Sequence, residues 1–292
     1  MIWLIGNQGM LGTEVETLLR RRRVPYFASD KEVDITDPDA LRRFASGRSL
    51  TWIINCSAYT AVDQAEDEPE AAFAINADGP GHLAALAREK NARLLHISTD
   101  YVFDGTRAEA YRESDPPSPI GVYGRSKYQG EVNIINTLAE HIIVRTAWLY
   151  GHHGPSFVAT MLRLFHERPE VRVVNDQYGS PTCAPDLAAA ILTIIEGSTD
   201  QFGIYHFTNE GRATWHDFAR EIYHQAREHQ LVANQVVIRG IPAAEYPTRA
   251  QRPANACLSK KKIKNTFALT IRPWQDGLAD YFDTYQTQSL NT

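Results

Sequence analysis

The stretch that decides the fold is Ile2-Trp3-Leu4-Ile5-Gly6-Asn7-Gln8-Gly9-Met10-Leu11-Gly12, in a chain of 292 residues. An apolar run leads into glycines at every third position, and a helical pattern follows. Glycine permits a tight turn and a close approach of the backbone, and a helix start offers free N–H groups to a pyrophosphate. The stretch therefore predicts the first strand, turn and helix of a dinucleotide-binding fold. The residues predicted to contact the dinucleotide here are Gly6, Gly9, Met10, Leu11 and Gly12.

The first half of the chain alternates short apolar runs with helical patterns. Strands separated by helices imply right-handed crossovers, and therefore a parallel sheet covered on both faces. We predict an α/β fold built on a doubly wound parallel (Rossmann) sheet. The predicted strands are residues 2–5, 25–28, 52–56, 93–98 and 141–146, and the predicted helices are residues 11–22, 38–46, 77–89 and 126–138.

The pattern is less regular in the second half. We expect a dinucleotide-binding domain over residues 1–150. A smaller C-terminal α/β lobe over residues 151–292 is expected to bind substrate and to return some segments to the first domain. Its predicted helices are residues 156–166, 185–196, 215–228 and 274–282, and its predicted strands are residues 171–174, 204–208 and 235–239.

Composition and charge exclude several classes of protein. The chain has 43% hydrophobic residues and a net charge of −5, and its basic clusters at residues 20–23 and 260–262 are typical of solvated helix ends. We therefore expect no nucleic-acid partner. The longest apolar stretch, residues 187–195, is far shorter than the roughly 20 residues of a membrane span. No basic leader precedes the first apolar run, so we expect no membrane association and a cytoplasmic location.

Metal and disulfide chemistry are not indicated. Cys56, Cys183 and Cys257 are odd in number and lack paired spacing, which argues against a disulfide framework or a zinc site. The ten histidines are scattered along the chain. We therefore expect no metal site.

Carboxylates and small residues follow the second and third predicted strands, at the sheet edge where doubly wound folds bind ligands. Asp30 is placed to accept hydrogen bonds from the adenosine ribose, with capping of a turn as the alternative interpretation. Asp34 and Ile35 are placed to flank the adenine. Small residues after the third strand leave room for the cofactor, while the acidic residues 63–70 are interpreted as solvated first turns of a helix. The contacts predicted after the third strand are Ala58, Tyr59 and Thr60.

The cofactor is predicted to be NADPH or NADH. The Asp30 carboxylate would repel a 2′-phosphate, and Lys31 is the one nearby cation placed to offset that repulsion. We therefore expect NADH to be used at least comparably to NADPH.

A hydroxyl, a phenol and an amine follow the fourth predicted strand, at the sheet edge where a reaction centre is expected. Residues 98–103 (STDYVF) end the fourth strand, and Tyr123 and Lys127 open the next helix. A tyrosine and a lysine four positions apart share one helix face, so the ammonium can lower the pKa of the phenol. That tyrosine can then act as a general acid toward a ketone oxygen. The order of glycine turn, Ser/Thr strand end, Tyr and Lys is much harder to obtain by chance than a Tyr-Lys pair alone.

At these residues the sequence resembles the extended short-chain dehydrogenases/reductases, and within them the dTDP-4-dehydrorhamnose reductase family. The likeness extends over nearly the whole chain. The matching segments are residues 6–12, 55–66 (NCSAYTAVDQAE), 98–105 (STDYVFDG), 122–131 (VYGRSKYQGE), 145–150 (RTAWLY), 175–182 (NDQYGSPT) and 252–253. Cys56 and Ser57 stand where that family usually has two alanines, a change small enough to leave the cofactor pocket intact.

The resemblance implies hydride transfer from NAD(P)H to the 4-keto group of dTDP-4-dehydro-L-rhamnose, which gives dTDP-L-rhamnose. It implies that Tyr123 donates the proton, that Lys127 holds the nicotinamide ribose and tunes Tyr123, and that Thr99 hydrogen-bonds the carbonyl oxygen. Trp148 as plain core is the alternative to a substrate contact. The positions that match the family's sugar-nucleotide pocket or lie near it are Thr99, Asp100, Tyr101, Trp148, Asn175, Gln177 and Arg252.

Two other functions stay open from the sequence. One is reduction of another nucleotide-linked 4-keto sugar, because pocket shape rather than the catalytic residues sets that choice. The other is a non-catalytic role, since some relatives are regulatory subunits of methionine adenosyltransferase; the presence of Thr99, Tyr123 and Lys127 favours catalysis. The partner expected is a dTDP-sugar substrate, and a homodimer is an assembly that the sequence leaves open.

Overall fold

The structure, a computed structural model, describes residues 1–197 and 200–289. Strands and helices alternate through most of the chain. The strands are β1 (Ile2–Ile5), β2 (Tyr26–Ser29), β3 (Trp52–Asn55), β4 (Arg93–Thr99), β5 (His141–Thr146), β6 (Leu149–Tyr150), β7 (Glu170–Val174), β8 (Tyr178–Gly179), β9 (Thr182–Cys183), β10 (Gly203–His206), β11 (Ala213–Thr214) and β12 (Val237–Ile241). The α-helices are α1 (Met10–Arg21), α2 (Pro38–Phe44), α3 (Val62–Ala65), α4 (Pro69–Phe73), α5 (Gly79–Glu89), α6 (Val122–Thr137), α7 (Phe157–Glu167), α8 (Ala184–Glu196), α9 (Trp215–Glu228), α10 (Lys261–Phe267) and α11 (Trp274–Ser289).

Six strands form one parallel sheet in the order β2-β1-β3-β4-β5-β10. From β1 the chain goes first to β2 on one side and then to β3 on the other. The strand order therefore reverses between β1 and β3, and such a switch point leaves a crevice at the carboxyl ends of the strands. The predicted doubly wound parallel sheet is confirmed.

Both faces of the sheet are covered by helices, which is why its strands are nearly continuous apolar runs. Leu4 and Ile54 point to the face covered by α1 and α8, where they pack with Leu187. Trp3 and Ile53 point to the opposite face, where Leu83 of α5 covers them. The alternation along each strand divides the buried side chains into two layers.

A second apolar core lies in the C-terminal part of the chain. It is built from α7, α9 and α11 with the parallel pair β7 and β12, and we call it the C-terminal lobe. Its largest buried side chains include Phe165, Phe218 and Phe282. Two segments of the second half belong elsewhere, because β10 extends the main sheet and α8 packs on α1.

Several predicted boundaries are wrong. The helix predicted at 77–89 is α5, which starts at Gly79 after a π-helical turn, Ala74–Asp78. The helix predicted to begin at Ser126 begins at Val122, and the strand predicted at 235–239 is β12, two residues later. A Cβ at Gly130 would lie 2.1 Å from the Asn76 carbonyl oxygen, so α6 packs directly on the π-helical turn.

The sequence predicts neither a disulfide framework nor a membrane-spanning helix. Cys56, Cys183 and Cys257 are free thiols. Within residues 1–197 and 200–289, no helix has the length and apolar character to cross a membrane.

Candidate active site

The glycine turn leads from β1 into α1. Gly6 has a φ of +78°, a conformation that L side chains rarely adopt. A Cβ at Gly12 would lie 1.9 Å from the Gly6 carbonyl oxygen, so only glycine lets the helix pack this closely on the turn. No side chain of the described chain caps α1, and its first turn carries no acidic residue. The N–H groups around Met10 and Leu11 are thus left for an anionic ligand, and the turn fits the pyrophosphate of a dinucleotide.

The next predicted cofactor residues follow β2. Asp30 is half-buried and its backbone N–H donates to Glu32 Oε1 at 2.9 Å, but its carboxylate accepts no hydrogen bond from the described residues. The Asp34 carboxylate accepts from the N–H and the hydroxyl of Thr36, both at 2.8 Å. Ile35 is buried, with 6% exposure, against α5. Asp30 is therefore free for a ligand, whereas Asp34 already has partners within its own turn.

The segment after β3 is held by Asn76, a residue that no local sequence motif marks. Tyr59 donates its N–H to Asn76 Oδ1 at 2.8 Å, and Asn76 Nδ2 donates back to the Tyr59 carbonyl at 3.0 Å. The same Nδ2 lies 3.0 Å from Ser126 Oγ. Asn76 thereby ties the Ala58-Tyr59-Thr60 segment to α6. Its place in the π-helical turn is the kind of helix irregularity that often marks functional sites.

Ser98 and Thr99 end β4 with side chains on opposite faces. Ser98 Oγ donates to Glu131 Oε1 at 2.5 Å, inside the protein. Thr99 Oγ1 lies 2.9 Å from Asp100 Oδ1 and accepts from the Tyr101 N–H at 3.2 Å. The structure thus places Thr99, as predicted from the resemblance, on the side of Tyr123.

Tyr123 is the second residue of α6, and its ring meets that of Tyr101 edge to face at 5.5 Å. Burial raises the pKa of the Tyr123 phenol to about 12, while a hydrogen bond with Thr99 opposes the rise. The Tyr-Lys spacing predicts that Lys127 lowers this pKa, but burial has the larger effect.

Lys127 lies one turn after Tyr123 and is 2% exposed. Its Nζ donates to the Ile97 carbonyl at 2.7 Å and lies 3.1 Å from His96 Nε2. Burial lowers the pKa of Lys127 to about 8, against the opposing charge of Glu131. This amine can therefore change its protonation state near neutral pH.

Asp100 is a buried carboxyl with one unpartnered oxygen. Oδ2 has no hydrogen-bond partner in the described chain, and the residue is 2% exposed. Burial raises the pKa of Asp100 to about 7. An orphaned buried oxygen is costly, so it is more readily explained by a ligand than by packing.

A buried ion pair between Arg145 and Glu131 fixes the elements that carry Thr99, Tyr123 and Lys127. Arg145 on β5 donates to both oxygens of Glu131 on α6, at 2.8 and 2.6 Å, and both residues are essentially inaccessible. Glu131 also accepts from Ser98, so β4, β5 and α6 are fixed to one another. Removing one partner of such a pair leaves an uncompensated buried charge, which costs about 3–5 kcal/mol.

Trp148 is held in a strained conformation between two neighbours. Its φ is +48°, unfavourable for a bulky residue, by about 1–3 kcal/mol. Its indole stacks on that of Trp215 at 3.6 Å, and a Cβ at Gly179 would lie 2.5 Å from the Trp148 ring. Trp148 is only half-buried and lines an open cavity of about 600 Å³. Trp148 also packs against the apolar core of the C-terminal lobe, so its contact with substrate stays a prediction.

The cavity lies between the sheet edge and the C-terminal lobe. Thr60 and Asp63 line it on one side, and Phe157 and Trp215 line it on the other. Arg252 also lines the cavity, and its guanidinium bonds to both oxygens of Asp63, at 3.1 and 2.8 Å.

Of the seven predicted substrate residues, Trp148 and Arg252 line this cavity, whereas five others do not, namely Thr99, Asp100, Tyr101, Asn175 and Gln177. Asn175, directly after β7, has an exposed side chain, and Gln177 is half-buried. Neither is among the residues that line the cavity. Their contact with substrate stays a prediction.

Several of the acidic residues interpreted as solvated also have specific partners. Glu66 Oε1 accepts from the Val122 N–H at 2.7 Å, at the start of the helix that carries Tyr123. Glu68 Oε2 accepts from the Tyr59 hydroxyl at 2.8 Å. Asp63 pairs with Arg252, as described. Asp63 and Glu70 lie in the first turns of α3 and α4, and Asp67, Glu68 and Glu70 are exposed, as the sequence predicts. The partners of Asp63, Glu66 and Glu68 are what the sequence does not predict.

Fold and site together define the class of protein, an NAD(P)H-dependent oxidoreductase of the short-chain dehydrogenase/reductase type. The family model described as the RmlD substrate binding domain matches residues 1–287. A dTDP-4-dehydrorhamnose reductase of Aggregatibacter actinomycetemcomitans is 41% identical over 281 residues, covering 94% of this chain and 96% of that protein. The chain belongs to the dTDP-4-dehydrorhamnose reductase family.

Two further proteins bear on the cofactor and the substrate. The crystal structure of a Bacillus anthracis dTDP-4-dehydrorhamnose reductase in complex with NADP superimposes with a TM-score of 0.91 at 37% identity, covering 97% of this chain and 98% of that one. A dTDP-4-keto-6-deoxy-D-glucose reductase of Streptomyces niveus is 38% identical over 283 residues, covering 96% of each chain.

Proposed function

We propose that this chain reduces the 4-keto group of dTDP-4-dehydro-L-rhamnose to dTDP-L-rhamnose with NADPH or NADH. The observation that carries the proposal is that the Thr99 hydroxyl hydrogen-bonds Tyr123, with Lys127 one turn later on the same helix, at the end of β4. The glycine turn follows β1 at the same edge of the parallel sheet. The similarity to reductases of that name adds the substrate. When bound, NAD(P)H supplies the hydride for C4.

The chain's own residues supply the proton and the positioning. Tyr123 donates its phenolic proton to the ketone oxygen, and Thr99 hydrogen-bonds the same oxygen. A phenol with a pKa raised by burial keeps its proton until charge develops on that oxygen. Lys127 holds the nicotinamide ribose and favours the phenolate once the proton has left.

The remaining roles follow from position. The glycine turn would hold the pyrophosphate of the cofactor, Asp30 would accept from its adenosine ribose, and the segments of Asp34-Ile35 and Ala58-Tyr59-Thr60 would flank it. The sugar nucleotide occupies the cavity between Trp148 and Arg252, with Asp100 and Tyr101 toward the sugar. Contacts of Asn175 and Gln177 with the sugar nucleotide rest on the family resemblance alone. Residues 1–150 thus mainly hold cofactor and residues 151–292 mainly hold substrate, although residues 198–199 and 290–292 lie outside the described residues.

The test is to incubate the protein with NADPH or NADH and dTDP-4-dehydro-L-rhamnose, following cofactor oxidation and identifying the product. Tyr123→Phe should reduce turnover by roughly 10²–10⁴-fold with substrate binding largely kept. Tyr128→Phe, on the same helix, is the matched control and should stay active. A Tyr123→Phe protein with near-normal turnover would exclude Tyr123 as the proton donor.

A second candidate is reduction of another dTDP-linked 4-keto sugar, favoured by the Streptomyces niveus relative. Assaying dTDP-4-keto-6-deoxy-D-glucose beside the first substrate separates the two, because the preferred substrate has the higher kcat/KM. A protein that turns over neither sugar yet binds a methionine adenosyltransferase would instead have the regulatory role.

Assembly and location are part of the proposal. A homodimer rests on the family resemblance, and light scattering of the purified protein measures it. A cytoplasmic location rests on the substrates, because nucleotide sugars and reduced nicotinamide cofactors are made in that compartment. Fractionation of cells that produce the chain tests it.

A further inference from the structure

His96 lies on β4 beneath the site, and none of the roles proposed above uses it. Its imidazole is fully buried between two side chains. Nδ1 lies 3.0 Å from Asn55 Nδ2, and Nε2 lies 3.1 Å from Lys127 Nζ. Which ring nitrogen carries the proton decides what Lys127 can do, and the neighbours of His96 fix that choice.

The orientation of the Asn55 amide is set by Ser57. The backbone N–H of Ser57 lies 3.0 Å from Asn55 Oδ1, and the Ser57 hydroxyl lies 2.6 Å from the same atom. A backbone N–H can only donate, so the amide oxygen must face Ser57. The Asn55 NH₂ group therefore faces His96, and the Nδ1 atom of His96 must accept from it.

A neutral imidazole has one N–H, so His96 carries its proton on Nε2. Burial is the chief cause that holds the pKa of His96 well below its usual range, which keeps the ring neutral. The Nε2–H then points at Lys127 Nζ. An ammonium group has donors only, whereas a neutral amine can accept this bond while donating to the Ile97 carbonyl.

We propose that His96 is a positioning residue for Lys127, donating its Nε2–H to Nζ and favouring the neutral amine. The inference rests on the proposed function, because it concerns the lysine that is assigned to the cofactor ribose. On gaining a proton, Lys127 loses the ability to accept from His96 and is released toward the ribose hydroxyls. His96 thus holds the amine in its neutral form, which predominates above about pH 8.

The other groups around Lys127 do not remove the preference for the neutral amine. Glu131 on the same helix favours the charged lysine, but its two oxygens are engaged by Arg145 on β5. Burial raises the pKa of the Cys56 thiol, beyond β3, to about 12, so it is neutral at ordinary pH. Tyr123, from the first turn of α6, is likewise neutral.

The first test is the tautomer of His96 in the unmodified, cofactor-free protein, read from long-range ¹H–¹⁵N spectra of labelled histidine. His141 is an internal reference of the opposite kind, because its Nδ1 faces the Leu138 carbonyl and must carry the proton. His96→Leu and His141→Leu identify the two signals. We expect Nε2–H for His96 and Nδ1–H for His141; an Nδ1–H form of His96 overturns the proposal.

The second test is the pKa of Lys127, followed by NMR of ¹³C-labelled lysine, with Lys127→Met identifying its signal. If His96 donates to Nζ, His96→Leu removes a bond that favours the neutral amine and raises this pKa by about one pH unit. If His96 instead accepts from an ammonium, the same change lowers the pKa. His141→Leu, the matched buried control, should leave it unchanged.

These outcomes are separable from those of the proposed function. Both measurements are made without cofactor or substrate, while turnover is assayed on the same preparation. An active protein with an Nδ1–H His96 overturns this inference alone. An inactive protein with an Nε2–H His96 overturns the proposed function and leaves the hydrogen-bond assignment intact. Should His96→Leu fail to fold, the tautomer of the unmodified protein still decides.

Discussion

Cofactor choice depends at the residue scale on Asp30, whose carboxylate lacks a protein partner among the described residues. A carboxylate there accepts from two ribose hydroxyls but repels a 2′-phosphate. Asp30→Ala should therefore shift the ratio of kcat/KM values toward NADPH by about tenfold or more. Kinetics with both cofactors on both proteins measure this, and Asp39→Ala is the control because its exposed carboxylate pairs with Arg42 on α2. An unchanged ratio for Asp30→Ala would mean that Asp30 does not face the ribose.

Asp100 gives a pH-dependent prediction. Its pKa is 3.8 in the unfolded reference and about 7 in the folded protein because of burial. Between these values the folded protein keeps a proton that the unfolded chain has lost, so stability declines as pH rises and the cost is complete above about pH 7. Asp100→Asn should thus stabilise the protein most above that pH, by on the order of 4 kcal/mol, and far less near pH 4.

Denaturant unfolding at about pH 5 and about pH 8 measures the effect. Asp104 is a control whose pKa is shifted in the opposite direction, because hydrogen bonds from the Thr106 N–H and the Tyr111 hydroxyl lower it. Asp104→Asn should destabilise the protein at both pH values. A pH-independent effect of Asp100→Asn would mean that Asp100 is not a strained carboxylate. If Asp100→Asn stabilises the protein but abolishes activity, Asp100 contributes to substrate contact at the expense of stability.

At the scale of elements, the helix that carries Tyr123 begins where Glu66 accepts the Val122 N–H. A carboxylate at a helix start satisfies a free donor and complements the dipole. Glu66→Ala should shift Tyr123 and lower kcat by roughly tenfold, with the Kd for cofactor little changed. Glu66→Gln keeps an acceptor and should recover most of the loss. Glu70→Ala, in the exposed first turn of α4, is the matched control.

The Glu66 and Glu70 variants should unfold cooperatively, so that a change in kcat reflects the position of Tyr123 rather than loss of the fold. If Glu66→Gln is as impaired as Glu66→Ala, the negative charge matters more than the hydrogen bond. Normal kcat in Glu66→Ala would show that α6 is positioned by packing alone.

Elements differ in how far the sequence predicts them. The strands of the main sheet were predicted to within a residue or two, because a parallel strand buried on both faces has to be apolar throughout. The start of α6 was predicted four residues late, since its cap comes from Glu66, 56 residues away in the chain. The π-helical turn was missed because the close approach of Gly130 that accompanies it is a tertiary contact.

Contacts between residues distant in sequence also limit how much of the site the sequence predicts. The glycine turn, Thr99, Tyr123 and Lys127 have local sequence patterns, and the structure brings them to one sheet edge. Asn76, Glu66 and His96 were not singled out, because each acts through a partner that is distant in sequence. Asn76 and His96 also lie within apolar patterns, where a polar residue without a predicted partner is the available signal.

At the scale of the whole molecule, the cavity depends on how the segment after β12 docks on the sheet edge. Arg252 bonds to both oxygens of Asp63, which also accepts the Ala250 N–H at 3.0 Å. Arg249 pairs with Asp67 beside it. The hydrogen bond from Arg252 is the chief cause of the lowered pKa of Asp63, so this link is complete above about pH 4 and weakens in acid.

Asp63→Asn should therefore loosen Arg252 and raise the KM for the sugar nucleotide roughly tenfold, while the Kd for cofactor stays unchanged. Initial rates with varied sugar nucleotide, together with cofactor titration by fluorescence, measure the two quantities. Asp67→Asn is the matched control, because Arg249 docks the same segment without lining the cavity. Equal losses in both variants would assign the effect to docking of the whole segment. A lower KM in Asp63→Asn would mean that Asp63 competes with substrate for the guanidinium, so that Arg252 must leave Asp63 when the sugar nucleotide binds.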